Sequence, residues 1–169
     1  MKTQTRESKK NSMAGAIETK LEELGYTLED PKSPVANYLS TKQAGNLLFV
    51  SGRKSELTGR VGEDVTEAQA KKAARETIVL LLAIIKKDIG DLDKIEGVVK
   101  VQGFINASKG FDRLPEVLDG ASELLIELFG NEGRHARTAT GAYQLPYGAS
   151  IQIDMVLSLK KEHHSEPVS

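Results

Sequence analysis

Cysteine is absent from this chain, and so is tryptophan. Without thiols there can be no disulfide, no thiolate metal site and no cysteine nucleophile. Aromatic residues make up only 5% of the sequence, so the core has to be aliphatic and there is little to stack on nucleobases. An excess of one charge is missing too: 23 Lys and Arg stand against 24 Asp and Glu, interspersed, for a net charge of -1. A nucleic-acid partner is therefore not expected, because its electrostatic footprint is a clustered basic surface. No apolar run is long enough to span a bilayer. The segment Met1 to Asn11 is polar and charged, unlike a secretory signal. The expectation is a cytoplasmic protein with no membrane partner. At 169 residues, 39% of them hydrophobic, the length suits one domain with a real core.

The chain divides into a disordered arm over 1–12, a single domain over 13–160 and a disordered polar tail over 161–169. His163 and His164 in the tail are adjacent and read as solvated. Ala16 to Leu24 forms a short amphipathic helix with Ile17, Leu21 and Leu24 on one face and Gly25 as its stop. Asp30 to Pro34 is a linker. Tyr38 to Lys42 and Leu47 to Ser51 read as strands joined by a turn at Ala44-Gly45-Asn46, where Gly and Asn supply positive φ. Thr66-Glu67-Ala68-Gln69 is a capping box opening the longest helix, which Gly90 ends. Ala70, Ala73, Ala74, Thr77, Leu81 and Ile84 face a sheet. Ile95 to Asn106 is a central strand, with Val99, Val101, Gly103 and Ile105 on one face and Val98, Lys100, Gln102 and Phe104 on the other. A second long helix runs from Leu114 to Phe129, with Pro115 in its first turn and Gly130 at its end.

The chemistry concentrates in the last third. Gly133-Arg134-His135-Ala136-Arg137-Thr138-Ala139 is short, small-residue and strand-like. Ile151 to Leu159 alternates strictly between apolar and mostly polar positions, the mark of a half-buried strand. An arginine between two such strands is either an ion-paired surface residue or a fixed anion anchor. Its fork holds a carboxylate by two parallel hydrogen bonds and never loses its charge. His135 shares the face of Arg137 in an extended chain and reads as a proton carrier or as a half-exposed structural histidine. Gly52 ends the second strand and would let a ligand approach the backbone, or is a plain turn glycine.

His135-Ala136-Arg137 with Leu145-Pro146, and Asn37-Tyr38 followed by Gly45-Asn46-Leu47-Leu48-Phe49-Val50-Ser51-Gly52, resemble the Rid superfamily. These are the reactive-intermediate deaminases, also called YjgF-like or L-PSP endoribonuclease-like proteins. The likeness runs from about Ile17 to Lys160 and is nearest to a longer, less characterised branch. It implies an α+β, chorismate-mutase-like sandwich: one mixed sheet of about six strands, covered on one face by two helices, with an extra N-terminal helix. It also implies a homotrimer whose sites lie in clefts between subunits.

By the same resemblance, Arg137 grips the carboxylate of an imine or enamine, Tyr38 lines the cleft, and Gly52 and Ala139 offer backbone contacts. His135 stands beside Arg137 as a further substrate-binding position. Deaminating relatives carry a glutamate in the last strand, and here the matching residue is Gln152. Glutamine can orient a water but cannot take its proton. Asp154 lies on the same face, roughly 7 Å further along the strand. Asp119 is near a position where some relatives have a polar cleft residue.

The implied function is hydrolysis of small 2-imino or 2-enamino acids to 2-oxo acids and ammonia, with Arg137 and Gln152 as catalytic residues and no metal or cofactor. The alternative is a non-catalytic module that binds a small carboxylate such as a 2-oxo acid. Endoribonuclease activity ranks last among the family activities, and a chorismate-mutase reaction rests on fold analogy alone.

Overall fold

The structure is a computed structural model and describes residues 15–32 and 37–162. Its elements are α1 (Ala16–Glu23), β1 (Thr41–Ala44), β2 (Leu47–Lys54), α2 (Glu67–Ile89), β3 (Ile95–Asn106), α3 (Leu114–Phe129), β4 (Ala136–Ala142) and β5 (Ile151–Leu159). The five strands form one mixed sheet in the order β1-β2-β5-β3-β4. Only β3 and β4 are parallel; the other neighbours are antiparallel. The sheet thus has five strands, not about six. The arm over 1–12, Ser33 and Pro34 of the linker, and both tail histidines lie outside the described residues.

Local rules account for the elements. The Thr66 side chain accepts from Gln69 N, and the Gln69 side chain accepts from Thr66 N, closing the expected capping box. Pro115 sits in the first turn of α3, and Gly130 caps its end. The β1–β2 turn has two residues, Gly45 and Asn46, and only Gly45 takes a positive φ, at 60°. Tyr38 to Ser40 precede β1 rather than belonging to it.

Helices α2 and α3 cover one face of the sheet. Ile151, Ile153, Met155 and Leu157 of β5 and Val101 and Ile105 of β3 are buried beneath them. The two helices meet closely. A Cβ on Gly120 would lie 2.0 Å from the Lys71 carbonyl oxygen, so only glycine permits this approach. Arg75 crosses the same seam to hold Glu127 by two hydrogen bonds of 3.2 and 2.7 Å. Helix α1 is fastened by a distant residue. Its own N-cap, Gly15, has no side chain, and the Asp93 carboxylate accepts from Ala16 N at 2.9 Å and Ile17 N at 3.2 Å. Leu24, expected on its apolar face, lies past the helix end and is exposed.

Three register shifts break the strict alternation, one of them between Ile95 and Gly97 at the start of β3. Of the other two, the first is in β2 between Val50 and Arg53, and the second is in β3 between Val98 and Lys100. The second turns Val98 into the core and leaves Val99 exposed, opposite to the simple two-residue reading. No helix among the described residues is long and apolar enough to cross a membrane.

Candidate functional site

The structure brings the expected residues together in two groups, not one. The first lies where β4 meets α3. Arg137 pairs in register with Val101, whose side chain is in the core, so both belong to the helix-covered face. Arg137 does not lie between its own strand and β5, because β3 separates them. Its Nη1 donates to Asp119 Oδ1 at 2.6 Å and to Ser122 Oγ at 3.2 Å. A guanidinium has five N–H donors. The Nε–H and both Nη2 N–H groups therefore have no partner among the described residues. Asp119 and Ser122 hold the group by one nitrogen and leave its Nε–Nη2 edge open. Ala139, two residues on, shares this face against Gly103 and packs on the core.

His135 joins the same group. Its Nε2 is 3.0 Å from Ser122 Oγ and its Nδ1 is 2.6 Å from the Gly133 carbonyl oxygen. The two ends of this chain fix its direction. A carbonyl only accepts, so Nδ1 carries the proton. An arginine only donates, so Ser122 Oγ accepts from Arg137. In the neutral imidazole Nε2 is then bare and receives the Ser122 hydroxyl. The result is a directed row of hydrogen bonds, Arg137 to Ser122 to His135 to Gly133.

The second group lies at the β2 edge. Gln152 pairs with Lys54 and Phe104, on the face of the sheet that the helices do not cover. A side chain at Gly52 would press on Gln152, its Cβ lying 3.2 Å from Nε2, so the glycine leaves that amide room. Tyr38 is half-exposed, and its hydroxyl accepts from Arg53 Nη1 at 3.1 Å. Tyr38, Gly52 and Gln152 all line a cavity of about 770 Å³ whose far wall is α2. Asp154 sits on the uncovered face opposite Gln102. Burial pushes its carboxyl up, against the pull of Lys100. Among the described residues no group of three or more His, Cys, Asp or Glu could hold a metal ion.

Ser122 and Arg53 escaped the sequence reading. Ser122 looks like an ordinary polar position of an amphipathic helix, and only the α3–β4 packing gives it partners. Arg53 follows a bulge, and nothing in the order of residues shows which way it turns.

A five-stranded mixed sheet carrying two long helices on one face, with an arginine held at its β4 edge, defines a chorismate-mutase-like α+β protein. The chain belongs to the family described as "YjgF/chorismate mutase-like, putative endoribonuclease", whose model matches residues 14–157. It is 35% identical over 153 residues to Protein TCP17 of Trypanosoma cruzi, covering 86% of this chain and 96% of that protein. It is similar to the solved structure of Atu1372 from Agrobacterium tumefaciens, with 38% identity, a TM-score of 0.81 and coverage of 92% and 100% of the two chains. A Shewanella oneidensis structure described as a "putative endoribonuclease" matches with 27% identity, a TM-score of 0.81 and coverage of 86% and 100%.

Proposed function

We propose that the protein hydrolyses small 2-imino or 2-enamino acids to 2-oxo acids and ammonia, in a cleft completed by a second copy of the chain. The open Nε–Nη2 edge of Arg137 carries this reading. It offers a carboxylate two parallel charged hydrogen bonds from a group whose other nitrogen is already held, so little freedom is lost on binding. Arg137 and Gln152 occupy opposite faces of one sheet, and β3 lies between their strands. One chain alone therefore does not bring them to one ligand. A homotrimer in which the β4 edge of one copy meets the Tyr38–Gly52–Gln152 surface of the next would do so.

In that cleft Arg137 fixes the substrate carboxylate, and the Gln152 amide orients a water toward the imine carbon. Gln152 cannot take the proton of that water. The bare Nε2 of His135 can, through the Ser122 hydroxyl, and the same pair returns a proton to the departing nitrogen. Water adds to the C=N bond, the C–N bond breaks, and ammonia and a 2-oxo acid leave. Positioning supplies much of the effect, because a bound water and imine react as one molecule.

The test is hydrolysis of freshly generated 2-iminopropionate and bulkier imino acids, with Arg137→Ala alongside. Acceleration by wild type that disappears in the variant supports the reading. Undiminished rates in Arg137→Ala would remove the anchor. Gln152 in place of a carboxylate favours a second reading, a module that binds 2-oxo acids without turning anything over. Ligand-dependent thermal stabilisation with no acceleration of any imine would select it. The endoribonuclease label of the relatives finds no support in a net charge of -1 and 5% aromatic residues.

A further inference from the structure

We infer that the cavity beside Tyr38 is a subsite for a second anionic group, and that Arg53 selects ligands bearing one. The inference rests on Arg137 as holder of the first carboxylate and names the substrate class of the same site: a 2-imino or 2-oxo acid with a negatively charged side chain.

The state of Arg53 is the first reason. It is half-buried, yet no carboxylate among the described residues lies within ion-pair distance of it. Its contacts are all neutral: Nη1 donates to Tyr38 Oη at 3.1 Å and to the Gly52 carbonyl at 3.2 Å, and Nη2 to Ser40 Oγ at 2.9 Å. The Tyr38 ring lies 5.7 Å from its guanidinium carbon. Three contacts from five donors leave Nε–H and one Nη2 N–H unused. A charged group so placed is held in position but not neutralised, and an anion is what it lacks.

The backbone is the second reason. The β2 bulge inserts one residue between Val50 and Arg53, which pair with Met155 and Ile153 of β5. Both of those partners are buried under the helices. Without the extra residue Arg53 would turn to the uncovered face. The bulge aims it toward the cavity wall formed by α2.

The cavity is the third. At about 770 Å³ it exceeds the needs of a three-carbon acid. Lys54, also without a carboxylate partner among the described residues, lines it with its Nζ 6.0 Å from the Tyr147 ring centre. Tyr147 is the only non-glycine with positive φ among the described residues, at 57°, and it too faces this cavity. Such a conformation persists where the surroundings impose it, and functional sites collect them. The acidic lining residues are disposed differently. Asp30 pairs with Lys87 and Glu76 with Lys72, while Glu29 and Glu56 are exposed to water.

The test is equilibrium binding by calorimetry, which does not depend on turnover. The probes are 2-oxoglutarate and 2-oxopentanoate, equal in chain length and different only at the far end; 3-phosphonopropanoate tests whether a phosphonate serves as the second group. Wild type should bind 2-oxoglutarate about tenfold or more tightly than 2-oxopentanoate, as charged hydrogen bonds to an arginine imply. Arg53→Gln should erase that preference and leave 2-oxopentanoate unchanged, and Arg53→Lys should keep part of it. Equal affinities in wild type, or a preference that survives Arg53→Gln, would overturn the inference. Failure of the deaminase reading shows separately, as absence of imine turnover with the dicarboxylate preference intact. Binding of neither oxo acid would overturn both the Arg137 anchor and the subsite.

Discussion

At the scale of single residues, Arg137 owes its usefulness to an uneven set of bonds. One nitrogen is tied to Asp119 and Ser122, and the rest of the fork has no partner among the described residues. The Asp119 carboxylate steadies the group but also cancels part of its field. Asp119→Asn keeps the acceptor oxygen and removes the charge, so it should bind carboxylates several-fold more tightly, measured as the dissociation constant for 2-oxobutanoate. Ser122→Ala breaks the row between Arg137 and His135 without touching the open edge. The expected result is a lower kcat, by about tenfold to a hundredfold, with KM nearly unchanged. A matching fall in binding would mean that Ser122 merely props the arginine. The family resemblance named Arg137, His135, Ala139, Tyr38, Gly52 and Gln152 as a set. It could not show that they form two groups, because their separation follows from strand order and from which face each strand presents.

At the scale of elements, the sequence was most legible where one local rule decides. The Thr66–Gln69 box, Pro115 in the first turn of α3 and Gly130 after it are each set by backbone groups within one helical turn. Val99 and Leu24 were misplaced for the opposite reason: a bulge and a helix end are decided by neighbours far away in the chain. Asp93 is another such neighbour. Because its carboxylate caps α1 from 76 and 77 residues away, Asp93→Ala should loosen that helix by about 1 kcal/mol. Hydrogen exchange of the amides from Ala16 to Glu23 should quicken while the sheet stays protected. The α2–α3 seam is less forgiving. Gly120→Ala places a methyl against the Lys71 carbonyl, so the gain in helix propensity is outweighed by forced separation of the two helices. A net loss of about 1–3 kcal/mol is expected, read as a lower Tm by several degrees.

At the scale of the whole molecule, the uncovered face of the sheet is the surface that the proposed assembly would use. Phe49 is exposed there, in register with Val156, and Asp154 stands nearby. Because burial raises the Asp154 carboxyl above its ordinary range, the folded chain holds that proton more firmly than the unfolded one. Its contribution is therefore lost as pH climbs from the usual aspartate range through the raised value, and is regained in acid. Asp154→Asn removes the penalty. The variant should be more stable than wild type at neutral pH, and the difference should vanish on acidification. Thermal melts across pH would show this, and a growing gap at higher protein concentration would tie it to copies docking on that face.

The position of β5 has a consequence for how the chain comes into being. Ile151–Leu159 is the fifth of the five described strands in chain order, yet it lies in the middle, joining β2 on one side to β3 on the other. Until it emerges from the ribosome, the sheet exists only as two separate pairs, β1 with β2 and β3 with β4. The apolar sides of α2 and α3 have already been synthesised and have no complete sheet to cover. Closing the sheet then requires contacts across about a hundred residues of chain, a slow step compared with helix formation. The nascent protein thus carries its stickiest surfaces unprotected until β5 is made, and that one strand sheathes them together.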